Sequence, residues 1–228
     1  MADHADVMFH TGQEQLVVTA AHELHGPIAA LVAGLHTLER VRGLPEADEE
    51  QILGALSRQA GYLSALVTDV LAVAKGGPHR APELVPVPLS EVLSTAVDAT
   101  AVPGGKRLEV AVHGTAMAEA VGLTRVVTNL LTNAFRYGGP NVEITSAATR
   151  WTIALTIADD GPGVPKPIES TMFDPFTRGG NTNGYGGLGI GLRVSRDLIE
   201  SFGGTLSYAP AVPSGSQFTI RLPLATAA

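Results

Sequence analysis

The 228-residue chain contains no cysteine. That excludes a disulfide framework, a thiolate metal site and a cysteine nucleophile, and it fits a reducing compartment. Aromatic residues are scarce at 5%, with a single tryptophan. Positive charge is also in the minority: 15 Lys and Arg stand against 22 Asp and Glu, a formal net charge of −7. Without a long basic run, that balance argues against a nucleic-acid protein. No apolar run approaches the ~18 residues of a membrane span. The first ten residues, MADHADVMFH, carry acids and no basic segment, so they do not read as a secretory signal. What is present is ordinary for a globular chain: 45% hydrophobic residues exclude wholesale disorder. The expectation is a soluble, cytoplasmic protein of two parts.

The two parts differ in texture. Between residue 11 and about residue 75, apolar positions follow a heptad rhythm. Val17, Ala21, Leu24, Ile28, Leu31, Leu35 and Leu38 form one seam, and Ile52, Leu56, Gln59, Leu63, Leu66, Val70 and Val73 a second. The breakers at 43–48 predict a short link and hence an antiparallel helical hairpin. A lone hairpin leaves each seam half exposed, whereas two hairpins in a four-helix bundle bury both, so a homodimer through this segment is expected. Residues 76–88, rich in Gly and Pro, read as a linker entering a first short strand. Beyond it strands and helices mix. Helices are predicted over 89–101, 117–137 and 188–202, and strands at 108–112, 141–147, 151–158, 204–208 and 216–223. Trp151, Ile153, Leu155 and Ile157 are expected on one sheet face. Residues 159–187, rich in Gly and Pro with few aliphatics, read as a loop region. This order implies an α/β sandwich with helices on one sheet face. The domains expected are an arm at 1–10, a helical hairpin at 11–75, a linker at 76–82, an α/β domain at 83–224 and a tail at 225–228.

Several residues carry chemistry. His22 follows seam residue Ala21, so it points about 100° away from the buried stripe. Glu23 adjoins it and Pro27 lies five residues on, a breaker inside a good heptad that suggests a local functional demand. A neutral imidazole can attack an electrophile, and a neighbouring carboxylate can hold one ring nitrogen while the other reacts. Alone, such a histidine is equally a solvated surface residue. Asn129 and Asn133, at i and i+4, share one helix face, and neutral amide oxygens can ligate Mg²⁺ already held by phosphates. Asp159 ends a strand and is followed by Gly161 and Gly163, so it can offer an acceptor to a base edge while backbone approaches closely. Phe173-Asp174-Pro175-Phe176 reads as a small hydrophobic plug. The glycine run 184–191 leads into a helix whose N-terminal N–H groups suit phosphate.

Taken together and in this order, these motifs resemble the catalytic core of the sensor histidine kinases of two-component signalling. HELHGPI is similar to the family's phosphoacceptor box, NLLTNAFRY to its asparagine box, DDGPGV to its first glycine box, FDPFTRG to its phenylalanine box and GGLGIGL to its second glycine box. The likeness runs from about residue 14 to 224. It implies an α+β protein of two domains: a dimeric four-helix bundle and an α/β sandwich of the Bergerat ATP-binding type, shared with type II topoisomerases and MutL. It further implies that His22 accepts the γ-phosphoryl group of ATP and Glu23 orients or deprotonates its ring. Asn133 would bind Mg²⁺, with Asn129 close to metal and phosphates. Arg136, where the family usually has Lys, would face phosphate, and Tyr137 would pack on adenine. Asp159 would accept from the adenine amino group, and Gly161 and Gly163 would shape the base pocket. Gly187, Leu188, Gly189 and Gly191 would let a lid, residues 164–186, and the following helix approach the phosphates. The absence of large apolar anchors between Phe176 and Leu188 fits a mobile lid.

The implied function is an ATP-dependent, autophosphorylating histidine kinase that passes its phosphoryl group to an aspartate of a response regulator. Two departures matter. His25 and Gly26 stand where the family often has Arg with Thr or Asn. Gly26 lacks the side chain that orients a hydrolytic water, so phosphatase activity is expected to be weak. His25 is a rival acceptor. The remaining alternatives are a degenerate scaffold that dimerises and docks a regulator without ATP, and another ATPase of the same fold. The intact asparagine and glycine boxes disfavour the first and HELHGPI on a heptad helix the second. Only 21 residues precede His22, so the input is expected from a partner sensor protein or from a sensor domain outside this chain, whose parent could be membrane-anchored.

Overall fold

The seam residues and the alternating residues end up in different environments. The computed structural model describes residues 24–40, 45–74, 81–100, 102–177 and 189–225. The chain divides into a helical unit, Met1–Gly77 together with Thr182–Ile190, and an α/β unit, Pro78–Asn181 with Gly191–Ala228. In the helical unit, helix α1 occupies 24–40 and α2 Glu46–Ala74. Pro45 opens α2: its carbonyl accepts from the amides of Asp48 and Glu49 at 2.9 and 3.1 Å. The expected α1 seam splits. Leu24, Leu31 and Leu38 are half-buried together with Pro27 and Gly34. Ile28 and Leu35 remain 49% and 51% exposed. Gly34 marks where the helices touch, because a Cβ there would lie 2.7 Å from Leu56 Cδ2. Two helices cover only one side of each other, so half of each stripe is left facing outward.

The α/β unit runs β1 (Val85–Pro88), α3 (Leu89–Thr100), β2 (Arg107–Ala111), β3 (Thr115–Ala118), α4 (Ala120–Tyr137), β4 (Asn141–Ala148), β5 (Thr152–Asp159), α5 (Lys166–Glu169), α6 (Gly191–Ser201), β6 (Thr205–Pro210) and β7 (Ser216–Pro223). Five strands form one sheet in the order β2-β4-β5-β7-β6, and β1 pairs with β3 in a second, two-stranded sheet. The β2–β4 pair is parallel and the others are antiparallel. Helix α4 contacts α3 and α6 and lies on β5. Its Leu123, Val126, Val127, Leu130 and Leu131 are buried with Ile144, Ile153, Ile157 and Ile220 of the sheet. β5 alternates strictly, with Ile153, Leu155 and Ile157 inward and Thr152, Ala154 and Thr156 only half-buried. This is the one-sided pattern of an antiparallel sheet with a single covered face.

Four sequence expectations need correction. The helix expected from 117 starts at Ala120, since Ala116 and Ala118 alternate as buried residues of β3 and Glu119 caps α4. The Glu119 carboxylate accepts from Val121 N at 3.0 Å and Gly122 N at 2.7 Å, satisfying free amides of the first turn. The helix expected from 188 to 202 is narrower, Gly191–Ser201. Trp151 does not join the buried row: it precedes β5, is 67% exposed, and the Arg150 guanidinium lies 4.8 Å from its ring centroid. The expected loop region after Asp159 contains the short helix α5 and a buried pair, Met172 and Phe173.

Candidate functional site

The site is built where α4 ends beside the end of β5. α4 carries Asn129 and Asn133, both half-buried, and closes with exposed Arg136 and Tyr137. Asn129 and Tyr137 are eight residues apart, about 12 Å of helix. Gly138 leaves the helix extended, its N–H donating to Ala134 O at 2.9 Å. Lys106, at the threshold of β2, reaches across to this end: its Nζ donates to the carbonyls of Gly138 and Gly139, each at 2.8 Å. A cation on these last carbonyls complements the negative end of the helix dipole.

Asp159 sits against this turn. It is 8% exposed, and its Oδ1 accepts from Gly161 N at 2.9 Å. Its second oxygen takes no bond among the described residues, and because no buried side-chain nitrogen or oxygen there lacks a partner, that oxygen stays reachable from solvent and open to a ligand donor. Gly161 packs so closely on Gly138 that a Cβ would lie 2.6 Å from the Gly138 Cα. Gly163 has φ +76°, and the Tyr208 hydroxyl beside it accepts from Val164 N at 3.2 Å. Gly215, at φ +117°, brings the β6–β7 turn against the Asp159 carbonyl, where any Cβ would collide. The neighbouring Asp160 faces outward. Its carboxylate accepts from Asn141 Nδ2 at 2.6 Å and Asn141 N at 2.9 Å. Those bonds, reinforced by the Lys106 charge, hold the Asp160 carboxyl below the usual carboxylate range.

The amide end of the site is braced by α6. Asn129 Nδ2 donates to Ser195 Oγ at 3.0 Å, and Gly191 lies against the Asn129 carboxamide. One residue along α6, the Arg196 guanidinium stacks 3.8 Å from the Phe173 ring centroid. Phe173 is therefore a buried plug, as expected, with a cation on its face. Phe176, at the end of the same motif, has φ +67°, a conformation bulky residues rarely adopt.

Asp159 and Gly161 thus converge on the C-terminal turn of α4, Gly163 lies against Gly215 and Tyr208, and Asn129 and Gly191 meet about two turns earlier. Asn133 lies between, half-buried, with no side-chain hydrogen bond among the described residues. Gly189 has φ +68°. His22, Glu23, Gly187 and Leu188 lie outside the described residues, as do residues 178–186 of the expected lid. Sequence reasoning missed Lys106, Gly138, Gly139, Ser195, Tyr208 and Gly215. Only the Gly138-Gly139 pair, a breaker directly after a periodic helix, carried a local signal.

A buried carboxylate, close-packed glycines and a row of neutral amides can hold a purine at one end and a metal-bound phosphate chain at the other. Residues 118–226 match the family described as the histidine kinase-, DNA gyrase B- and HSP90-like ATPases. The probable sensor histidine kinase TcrY of Mycobacterium tuberculosis is 31% identical over 92% of this chain and 46% of its own length. The sensor protein KdpD of the same species is 33% identical over 93% of this chain and 26% of its own. These matches support a histidine kinase catalytic core with an ATPase domain of that type. As a histidine kinase core it spans less than half the length of these two relatives. Among solved structures, the mycobacterial sensor histidine kinase MprB is similar with a TM-score of 0.56 and 27% identity, over 63% of this chain and all of that one. In this kinase core the matched ATPase region begins at the last residue of β3 and takes in α4, β5 and α6, the elements that carry Asn129, Asn133, Asp159 and Gly191. No described helix is long and apolar enough to cross a membrane.

Proposed function

We infer that this chain is an ATP-dependent histidine kinase that phosphorylates its own His22 and transfers the group to an aspartate of a response regulator receiver domain. The observation that carries the reading is the half-satisfied, buried Asp159 carboxylate at the foot of the helix that bears Asn129 and Asn133. Asp159 takes the amino edge of adenine on its open oxygen. Gly161 and Gly163 let the backbone approach the base, Tyr137 lies over it, and Arg136 faces the phosphates. Gly187, Leu188, Gly189 and Gly191 complete the phosphate side.

The amide row also fits a divalent cation. Among the described residues no cluster of three His, Asp or Glu could hold a bare metal ion. Neutral amides suit one that arrives already coordinated by phosphate. Asn133, supported by Asn129, would hold Mg²⁺, which supplies charge neutralisation on the triphosphate. The His22 ring nitrogen attacks the γ-phosphorus: an N–P bond forms, the bond to the β–γ bridging oxygen breaks, and ADP leaves. Glu23 orients the ring and takes its proton. The phosphoryl group then passes to a carboxylate oxygen of the regulator, and His22 is regenerated.

Residues 11–75 serve as the dimerisation and phosphotransfer hairpin, joined through 76–82 to the ATP-binding domain at 83–224. The exposed Ile28, Val32, Leu35 and Leu53 supply the apolar surface for a four-helix bundle with a second copy. Input comes from an upstream sensor protein or domain.

With γ-labelled ATP, the chain should acquire acid-labile label that His22→Gln abolishes and His25→Gln retains. Label persisting in His22→Gln, or no binding of ATP, overturns the reading. Phosphatase activity is weak because Gly26 offers no side chain to a hydrolytic water. A Cβ at Gly26 meets nothing within 4 Å, so Gly26→Thr is sterically free. It should speed dephosphorylation of a purified phospho-regulator about tenfold or more, the contribution of a positioned polar group.

A further inference from the structure

The Ser195 hydroxyl belongs to none of the sequence motifs, yet it holds one of their amides. Ser195 lies on α6 and is 2% exposed, so no nucleotide reaches it directly. Its Oγ accepts from Asn129 Nδ2 at 3.0 Å, joining residues 66 positions apart in the chain. Gly191, one turn earlier on α6, faces the other end of the amide: a Cβ there would lie 2.7 Å from Asn129 Oδ1. The carboxamide is therefore gripped by two residues of one helix face, its nitrogen on a buried hydroxyl and its oxygen beside a position with no side chain.

A carboxamide has a donor end and an acceptor end, and a half-turn of its last torsion exchanges them. Only the oxygen can face a cation. With the nitrogen committed to a buried partner, the oxygen is the end left over. Releasing that partner lets the amide populate orientations that do not ligate, and apparent affinity falls by the competent fraction.

We propose that Ser195 is a positioning residue whose buried hydroxyl fixes the Asn129 carboxamide with its oxygen turned toward the metal-bound phosphates. The proposal rests on the reading of Asn129 given above. Ser195 touches neither metal nor nucleotide; it acts through Asn129.

The test is calorimetric titration of the full chain with two probes, Mg²⁺ plus a non-hydrolysable ATP analogue, and ADP in chelator. Ser195→Ala should weaken the metal-loaded analogue about five- to tenfold, the worth of one hydrogen bond of ordinary strength. It should leave metal-free ADP within about twofold, which also reports that the domain is folded. Asn129→Ala should weaken the metal-loaded analogue at least as much, and the double variant should be no weaker than Asn129→Ala. Equal losses for both probes, no loss, or additive losses in the double variant would overturn the role of Ser195. If Asn129→Ala leaves the metal-loaded analogue unaffected, the reading of Asn129 fails first, and the proposal with it.

Discussion

The helical unit and the α/β unit solve the burial problem to different extents. In the α/β unit, α4 and the sheet close on each other: Leu123, Val126, Leu131, Ile144 and Ile220 are wholly inaccessible. In the helical unit no described side chain of α1 is better than half-buried, and Ile28, Val32, Leu35 and Leu53 face outward. The same hydrophobic seams therefore mean different things. A sheet face covered by helices is a finished core, whereas two helices back to back are half of one. The α/β unit should hold its fold alone, and the helical unit should depend on protein concentration.

The strongest way to break this contrast is to charge the outward stripe. Replacing Ile28 and Leu35 together by Glu should convert the chain to a monomer at micromolar concentration in sedimentation and abolish labelling of His22. The unfolding of the α/β unit should be unchanged. Survival of a dimer would show that some other surface joins the copies. The second test truncates the finished core. Leu131→Ala should cost the α/β unit about 2–5 kcal/mol in urea unfolding, because a fully buried leucine leaves both lost transfer energy and a cavity. Dimer dissociation should not move. The smallest effect concerns acid. The folded Asp160 carboxyl titrates below its ordinary value of 3.8, so it favours the native state. That contribution is complete above the unfolded value and is lost as pH falls through the folded one. Asp160→Asn should lower the denaturant midpoint of the α/β unit slightly near neutrality. The difference should shrink and vanish as pH falls through the folded value, once the native carboxylate is protonated as well.

The parts legible from sequence are those in which neighbours in the chain are neighbours in function. Asn129 and Asn133 sit on one helix face because of their spacing, and Asp159 ends its strand because alternation from Ile153 onward runs out there. β3 was illegible. It has four residues, two of them buried alanines, and its run of small residues flows into a helix whose start is marked only by the Glu119 cap. The supporting residues were illegible for a different reason. Lys106 acts on carbonyls 32 and 33 residues away, and Tyr208 on an amide 44 residues away. Periodicity carries no information at such separations; only the assembled sheet brings these groups together. Trp151 was misassigned because extrapolating an alternation by one residue crosses from strand into turn, where an apolar ring is held by an arginine rather than by a core.

The position of that ring has a practical side. Trp151 is the chain's single tryptophan, and it stands at the opposite end of β5 from Asp159, eight strand residues or about 26 Å away. Intrinsic emission from this protein is thus a report from a wet hairpin bend. At that distance it should change little when a ligand reaches Asp159, so occupancy of that end is better followed by heat or by label.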